Sequence, residues 1–247
     1  VVKFTDISLN SELEVIKKID EVSKKMRKRH KIILMYDLGD LREGIYYQDF
    51  RLEDIKEILS LKNIDFYGIG TNLTCYGSVI PSIDTYQKLK HIKDEIESNF
   101  NIKLQMISGG NSSSMPMLLE GNIPAFINNL RIGESMIVGR ETAYQNRIDH
   151  LYEDVITLET EVLEIKDKPS YPEGELGFDA FGQVQTYHDI GKIKRAILSI
   201  GRQDVKHEDL IPPKGIDVIG SSSDHLIVHM KDSDYKIGDI ITFKLKY

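Results

Sequence analysis

A loop rich in glycine and serine, followed downstream by an arginine, contains the residue types best suited to hold an anionic ligand. The loop reads Ser-Gly-Gly-Asn-Ser-Ser-Ser over residues 108–114, and the segment Leu-Arg-Ile-Gly-Glu follows at residues 130–134. Gly109 and Gly110 can adopt backbone angles that let main-chain N–H groups approach a ligand closely. Serine hydroxyls at a predicted helix start add donors, and helix N-termini favour phosphate. Taken alone, such a cluster is more often an ordinary loop, so the interpretation depends on its surroundings.

The composition excludes several classes of protein. The chain has 247 residues, of which 40% are hydrophobic and 29% charged, with a net charge of -7. This is typical of a folded, acidic cytoplasmic enzyme and argues against general nucleic-acid binding, which needs a basic face. Cys75 is the only cysteine, so the sequence has neither a disulfide framework nor a thiolate zinc site. No apolar run approaches the roughly 20 residues that a membrane-spanning helix needs.

The elements that must position the loop alternate between strand and helix over residues 1–153. Apolar runs predict strands at residues 4–9, 32–36, 66–70, 104–107 and 130–132. Ser11 and Glu14 predict a capping box for a first helix that runs to about residue 29, and helical spacing continues at 52–59, 86–100 and 117–119. Polar clusters repeatedly follow the strands, which is where parallel α/β folds keep their sites.

The pattern changes near Asp154. Strands are then predicted at residues 155–165, 196–200, 216–219, 226–230 and 240–245, without helices of matching length between them. This predicts a β domain at 154–247 after an α/β domain at 1–153. A complete (β/α)8 barrel takes about 250 residues, and four or five strand–helix units fit before Asp154. We therefore expect the C-terminal part of a TIM-type barrel, and the sequence to be a fragment.

Six blocks of the sequence, in the same order, resemble the alanine racemase-like family of pyridoxal phosphate enzymes (fold type III), and within it the ornithine racemase branch. The blocks cover residues 37–45, 70–77, 108–114, 130–134, 200–205 and 222–226. The resemblance extends over nearly the whole chain. It implies a barrel followed by a β domain, and a head-to-tail homodimer in which each β domain completes the site of the partner.

The resemblance implies that the glycine/serine loop binds the phosphate of pyridoxal phosphate. Arg131 would lie against the pyridine nitrogen, and Asn72 stands where alanine racemase has a histidine packed on the ring. An arginine keeps its proton, so the ring nitrogen would stay largely neutral, which suits racemisation. Spacing alone would favour a surface ion pair for Arg131. The residues expected to bind the cofactor are Asn72, Gly110, Asn111, Ser112, Ser113, Arg131, Gly133 and Glu134.

The implied reaction is racemisation of ornithine or another amino acid. An α proton is removed from an amino acid bound as an imine, and a proton is returned from the opposite face. In the family the imine-forming lysine lies on the first barrel strand, which we expect upstream of Val1, so the fragment would be inactive by itself. Lys31 and Lys103 fall at strand starts, the wrong end of a barrel for this role.

The second base is left open. Alanine racemase uses a tyrosine of the β domain, whereas the matching segment here, residues 201–204, contains none. Cys75, Asp204 and Asp224 are the candidate catalytic residues, with Tyr76 and His225 as further alternatives. The two aspartates could instead pair with a basic side-chain amine of the substrate, and a cysteine would need a lowered pKa to act as a base.

Two other functions, and one other cluster, remain open. The missing tyrosine is compatible with a non-catalytic regulatory or carrier protein that binds pyridoxal phosphate. An unrelated phosphosugar enzyme could use the same loop. Asp37, Asp40 and Arg42 could shape the cofactor environment or simply tie a loop in place.

Overall fold

The chain divides into two compact units. The computed structural model describes residues 1–178, 182, 184 and 186–246. The first unit is Val1–Leu151 and the second begins at Tyr152, whereas the change in sequence pattern places the boundary between residues 153 and 154.

A parallel sheet forms the centre of the first unit. Its strands are β1 (Ile7–Asn10), β2 (His30–Asp37), β3 (Ile45–Tyr46), β4 (Ile64–Gly70) and β5 (Met106–Ser108). They are ordered β1-β2-β4-β5, with β3 beside the end of β2, and every pairing is parallel. The apolar run 32–36 in β2 is buried at every position, as expected for a central parallel strand covered on both faces.

Three helices bury one apolar face each, namely α1 (Leu13–Lys25), α2 (Leu52–Ser60) and α3 (Ile83–Phe100). Two short helices, α4 (Met115–Leu119) and α5 (Glu134–Val138), and one-turn 3-10 helices at Tyr47–Asp49 and Ser112–Ser114 complete this unit. The long helix α3 contributes Tyr86, Leu89, Ile92 and Ile96 to the core that also contains alternate residues of β2, namely Ile32, Leu34 and Tyr36. Sequence spacing thus predicted α1 to α4 but not α5.

Two local predictions for this unit are wrong. Glu12, not Ser11, precedes α1 and makes no side-chain cap, and Glu14 instead accepts a hydrogen bond from Lys17 at 2.7 Å. Helix α1 also ends at Lys25, because the chain turns to a left-handed φ of 53° at Arg27.

The strand predicted at residues 130–132 is also wrong. Asn129 makes only an isolated parallel bridge to Ser108. The main-chain N–H of Arg131 donates to the carbonyl of Gly110 instead of to a strand. This segment follows β5 as a loop.

The second unit is an antiparallel sheet. Its described strands are β6 (Thr157–Pro169), β7 (Lys192–Leu198), β8 (Leu210–Ile211), β9 (Ile216–Ser221), β10 (Leu226–Met230) and β11 (Ile240–Leu245), in the order β8-β11-β6-β7-β10-β9. Val162, Leu198, Val228 and Phe243 are fully buried in its core. No helix in the described part of the chain is both long and apolar enough to cross a membrane.

Candidate active site

Loops that follow β2, β4 and β5 meet at one edge of the parallel sheet. Because the strands are parallel, their carboxyl ends share that edge. The N–H of Thr71 donates to the Ser108 carbonyl at 2.9 Å, and the N–H of Gly109 donates to the Asn129 carbonyl at 2.9 Å. These hydrogen bonds hold together the loops that carry the eight residues expected to bind the cofactor.

The glycine/serine loop has a tightly determined shape. Gly110 has a φ of +120°, which disfavours any residue with a Cβ atom. A Cβ atom on Gly109 would lie 2.7 Å from the Ile127 side chain, so the packing there requires glycine. The Asn111 side chain then accepts the N–H of Ser113 at 2.8 Å and starts the 3-10 turn.

Several main-chain N–H groups around this loop have no acceptor among the described residues. They belong to Gly110, Asn111, Ser112, Gly133 and Glu134. The hydroxyl of Ser112 accepts the N–H of Ser135 at 3.1 Å, which joins the loop to the start of α5. A Cβ atom on Gly133 would meet nothing within 4 Å, so the space above it is open. Unpaired donors from two adjoining loops are the arrangement that binds an oxyanion.

Two buried hydroxyls near these loops, those of Thr71 and Ser135, make no hydrogen bond within the described structure. Buried polar groups normally have hydrogen-bond partners. Two buried hydroxyls without partners, near N–H groups that also lack acceptors, are therefore unusual. Neither was predicted from the sequence. The position of Thr71 directly after β4 was a usable signal, whereas nothing in the sequence pattern distinguished Ser135.

Arg131 is half-buried and held by neutral groups. Its guanidinium donates to the Thr71 carbonyl at 2.9 Å and to the Ser108 hydroxyl at 2.5 Å. Ser108 in turn donates to the side chain of Asn129 at 2.6 Å. Burial lowers the pKa of Arg131 from its ordinary value, although an arginine stays protonated. No described carboxylate forms an ion pair with it, so the surface ion pair is not what the structure contains.

Asn72 lies between the glycine/serine loop and the loop after β2. Its side-chain nitrogen donates to Glu43 at 3.1 Å, and its side-chain oxygen accepts from Asn111 at 2.8 Å. Glu43 is also paired with Arg42. Sequence reasoning missed Glu43, even though it lies within the block at residues 37–45 that carries the family resemblance.

The acidic residues after β2 tie loops in place. The buried carboxylate of Asp40 accepts three main-chain N–H groups, those of Cys75, Tyr76 and Val79, at 3.0, 3.0 and 2.9 Å. Asp37 accepts two N–H groups of its own loop. Asp37, Asp40 and Arg42 were expected either to shape the cofactor environment or to hold a loop in place. For both aspartates the hydrogen bonds support the second role.

Cys75 lies beside the glycine/serine loop. Its sulfur is 3.4 Å from the side-chain nitrogen of Asn111 and 3.6 Å from the Leu73 carbonyl. Burial raises the pKa of the Cys75 thiol, and the positive charge of Arg42 opposes this only in part. The thiol is therefore protonated at neutral pH, which suits a proton donor better than a base.

Asp204 and Asp224 lie in the second unit, on two adjacent turns. A Cβ atom on Gly201 would lie 2.3 Å from the Ser223 carbonyl, so glycine is what lets the turns approach. Asp204 accepts the N–H of Gly201 at 3.1 Å. Asp224 accepts the Ser223 hydroxyl at 3.0 Å, and this bond, with the nearby His225, holds the pKa of Asp224 below its ordinary value. Both carboxylates are exposed, and their catalytic role stays a prediction.

The architecture is that of the alanine racemase fold. The structure aligns with alanine racemase of Clostridium difficile 630 with a TM-score of 0.63 and 21% identity, over 96% of this chain and 62% of that one. Histidine racemase of Leuconostoc mesenteroides subsp. sake NBRC 102480 aligns with a TM-score of 0.60 and 16% identity, over 96% and 62%. The chain thus spans about three fifths of the length of these structures, and the predicted partial barrel with a β domain is confirmed.

Sequence comparison defines the family. Residues 5–141 match the family described as alanine racemase, N-terminal domain. The chain is 50% identical over 250 residues to ornithine racemase of Acetoanaerobium sticklandii, covering 100% of this chain and 71% of that protein. It is 40% identical over 248 residues to lysine racemase of Thermotoga maritima, covering 100% and 69%. The chain belongs to the alanine racemase family of isomerases, which confirms the resemblance drawn from the six sequence blocks.

Proposed function

We propose that this protein is a pyridoxal phosphate-dependent amino-acid racemase that acts on a basic amino acid, ornithine first among them. The observation that carries the proposal is the set of unpaired N–H donors from two loops, with the half-buried Arg131 beside them. The family membership supports the reaction type. The names of the ornithine and lysine racemases support a substrate whose side chain ends in an amine.

The residues present fit the cofactor. A phosphate monoester carries more than one negative charge and accepts several hydrogen bonds. The free N–H groups of Gly110, Asn111, Ser112, Gly133 and Glu134, with the Ser112 hydroxyl, would hold it. The unsatisfied hydroxyls of Thr71 and Ser135 are further donors in the same region.

When bound, pyridoxal phosphate supplies an electron sink for the charge that develops at the α carbon. Arg131 would stand at the ring nitrogen as a fixed positive donor that does not give up its proton. Its hydrogen bonds to Thr71 and Ser108 leave its charge without a carboxylate partner in the described structure. Asn72, clamped between Glu43 and Asn111, would present its amide toward the ring.

Proton transfer at the α carbon needs one group to accept a proton and another to return one from the opposite face. Cys75, protonated and next to Asn111, is suited to returning one. Asp204 and Asp224 are the candidates from the second unit, either as an acceptor or as partners of the substrate's side-chain ammonium. Following the family resemblance, we propose a head-to-tail homodimer, in which the partner's β domain would bring such residues to this site.

The experiment uses the whole protein incubated with pyridoxal phosphate. Cofactor binding is followed by absorbance, racemisation by the optical rotation of L-ornithine and L-lysine, and α-proton exchange by NMR in D2O. Exchange with loss of rotation supports the racemase. Cofactor binding without exchange on any amino acid supports the regulatory or carrier alternative, which the absence of a tyrosine at residues 201–204 favours. If the protein does not bind pyridoxal phosphate, both the racemase and the regulatory or carrier function are excluded.

A further inference from the structure

One carboxylate, that of Glu43, joins two side chains at the candidate site. It accepts both guanidinium contacts of Arg42, one of them at 2.8 Å, and the side-chain nitrogen of Asn72 at 3.1 Å. Asn72 comes from the loop after β4, and Arg42 from the loop after β2. Glu43 is therefore the contact through which one loop determines a side-chain position in the other.

The direction of the hydrogen bonds depends on the charge of Glu43. An ionised carboxylate only accepts, so Asn72 must turn its NH2 group toward Glu43. Its oxygen then faces the donating NH2 group of Asn111, at 2.8 Å. Arg42 keeps Glu43 in this state, because its hydrogen bond lowers the pKa of the Glu43 carboxyl.

Glu43 also contributes to the charge balance around Arg131. Its negative charge raises the pKa of Arg131, whereas the positive charge of Arg42 lowers it. Removing the negative charge of Glu43 would leave the positive charge of Arg42 acting on Arg131 without this opposing charge. The carboxylate of Glu43 thus affects both the orientation of the Asn72 amide and the electrostatic potential at the Arg131 guanidinium.

We propose that Glu43 is a positioning residue of this site, which orients Asn72 and Arg42 on the ring side of the cofactor and does not hold its phosphate. The proposal rests on the racemase function proposed above. It separates two groups of residues: Glu43, Asn72 and Arg42 govern turnover, while Asn111 and the free N–H groups govern retention of the cofactor.

The test compares E43Q with N111A in the whole protein. E57Q is the matched control, since Glu57 pairs with Lys17 at 2.7 Å on a helix surface. E43Q is expected to keep the cofactor, with only a small fall in melting temperature from the lost pairing with Arg42. Its kcat should fall by about 10-fold or more, the effect of about 1.4 kcal/mol, with KM nearly unchanged. N111A is expected to lose the cofactor. The side-chain amide NMR signal of Asn72 should shift in E43Q and not in E57Q.

Two outcomes overturn the proposal. One is an E43Q protein that matches E57Q in both kcat and the Asn72 signal. The other is loss of cofactor by E43Q to the same extent as by N111A. If E43Q does not fold, E43D answers the question, because its shorter carboxylate keeps the charge but withdraws from Asn72 and should produce the same shift. Failure of the wild-type protein to exchange α protons would refute the racemase function, while the NMR comparison would still test the role of Glu43.

Discussion

Replacing Arg131 with methionine should abolish function while changing the stability of the fold little. The side chain makes two hydrogen bonds, to the Thr71 carbonyl and the Ser108 hydroxyl. Hydrogen bonds from a charged group contribute about 1.5–3 kcal/mol each, so their loss costs about 3–6 kcal/mol. Against this, the half-buried guanidinium has no carboxylate partner in the described structure, and desolvating a charge costs several kcal/mol. The free energy of unfolding should therefore change by no more than about 2 kcal/mol, which is the difference between these two opposing contributions.

Urea unfolding of wild type and Arg131→Met, with and without pyridoxal phosphate, measures this balance. In wild type, cofactor at 100 times its Kd should add about 2.7 kcal/mol to the free energy of unfolding. In Arg131→Met the cofactor should add less to the free energy of unfolding, and racemisation should fall below detection. Arg51→Met is the control, because Arg51 is an exposed arginine paired with Asp54, and such pairs contribute about 0–1 kcal/mol.

Two results would refute the reasoning about Arg131. A loss of more than about 4 kcal/mol in the free energy of unfolding would mean that the hydrogen bonds outweigh the desolvation cost. Racemisation at the wild-type rate would mean that the guanidinium does not act at the cofactor.

Three further predictions follow from contacts in the same loops. Gly110→Ala should destabilise the fold by about 1–3 kcal/mol, because its φ of +120° strains any residue with a Cβ atom, and calorimetry that finds no loss would contradict this. Asp40→Asn should lower the free energy of unfolding by about 1.5–3 kcal/mol and speed proteolysis of the loop at residues 75–79, whose three N–H groups its carboxylate accepts. Because Arg42 lowers the folded-state pKa of Glu43 from 4.5, this pairing stabilises the fold above pH 4.5 and is lost as the pH falls through the lowered pKa. Acid unfolding curves of E43Q should lack that contribution, and curves identical to those of wild type would count against the pairing.

Much of the fold could be predicted from the sequence because it depends on local periodicity. The apolar run at residues 32–36 suits a strand with both faces covered, and it lies in β2. The spacing of Tyr86, Leu89, Ile92 and Ile96 places them on one helical face, and they are buried on α3. Strands β10 and β11 have the bounds predicted for them.

The sequence alone was less reliable where local signals compete. The capping box at Ser11 and Glu14 matched a common pattern, but α1 begins at Leu13 and Glu14 pairs with Lys17. The strand predicted at residues 130–132 has residues that suit a strand. The N–H of Arg131, however, donates to the carbonyl of Gly110 and not to a neighbouring strand. In both cases the residues make contacts that the local pattern did not predict.

The sequence by itself determined the family, the order of the elements and the loops in which the candidate site lies, because each of these is encoded in contiguous residues. Only the tertiary structure showed that Arg131 is held by neutral groups, that Thr71 and Ser135 have unsatisfied hydroxyls, and that Glu43 clamps Asn72. These features join residues far apart in the chain. They exist because parallel strands bring their carboxyl ends to one edge, where side chains from separate loops must share donors and acceptors.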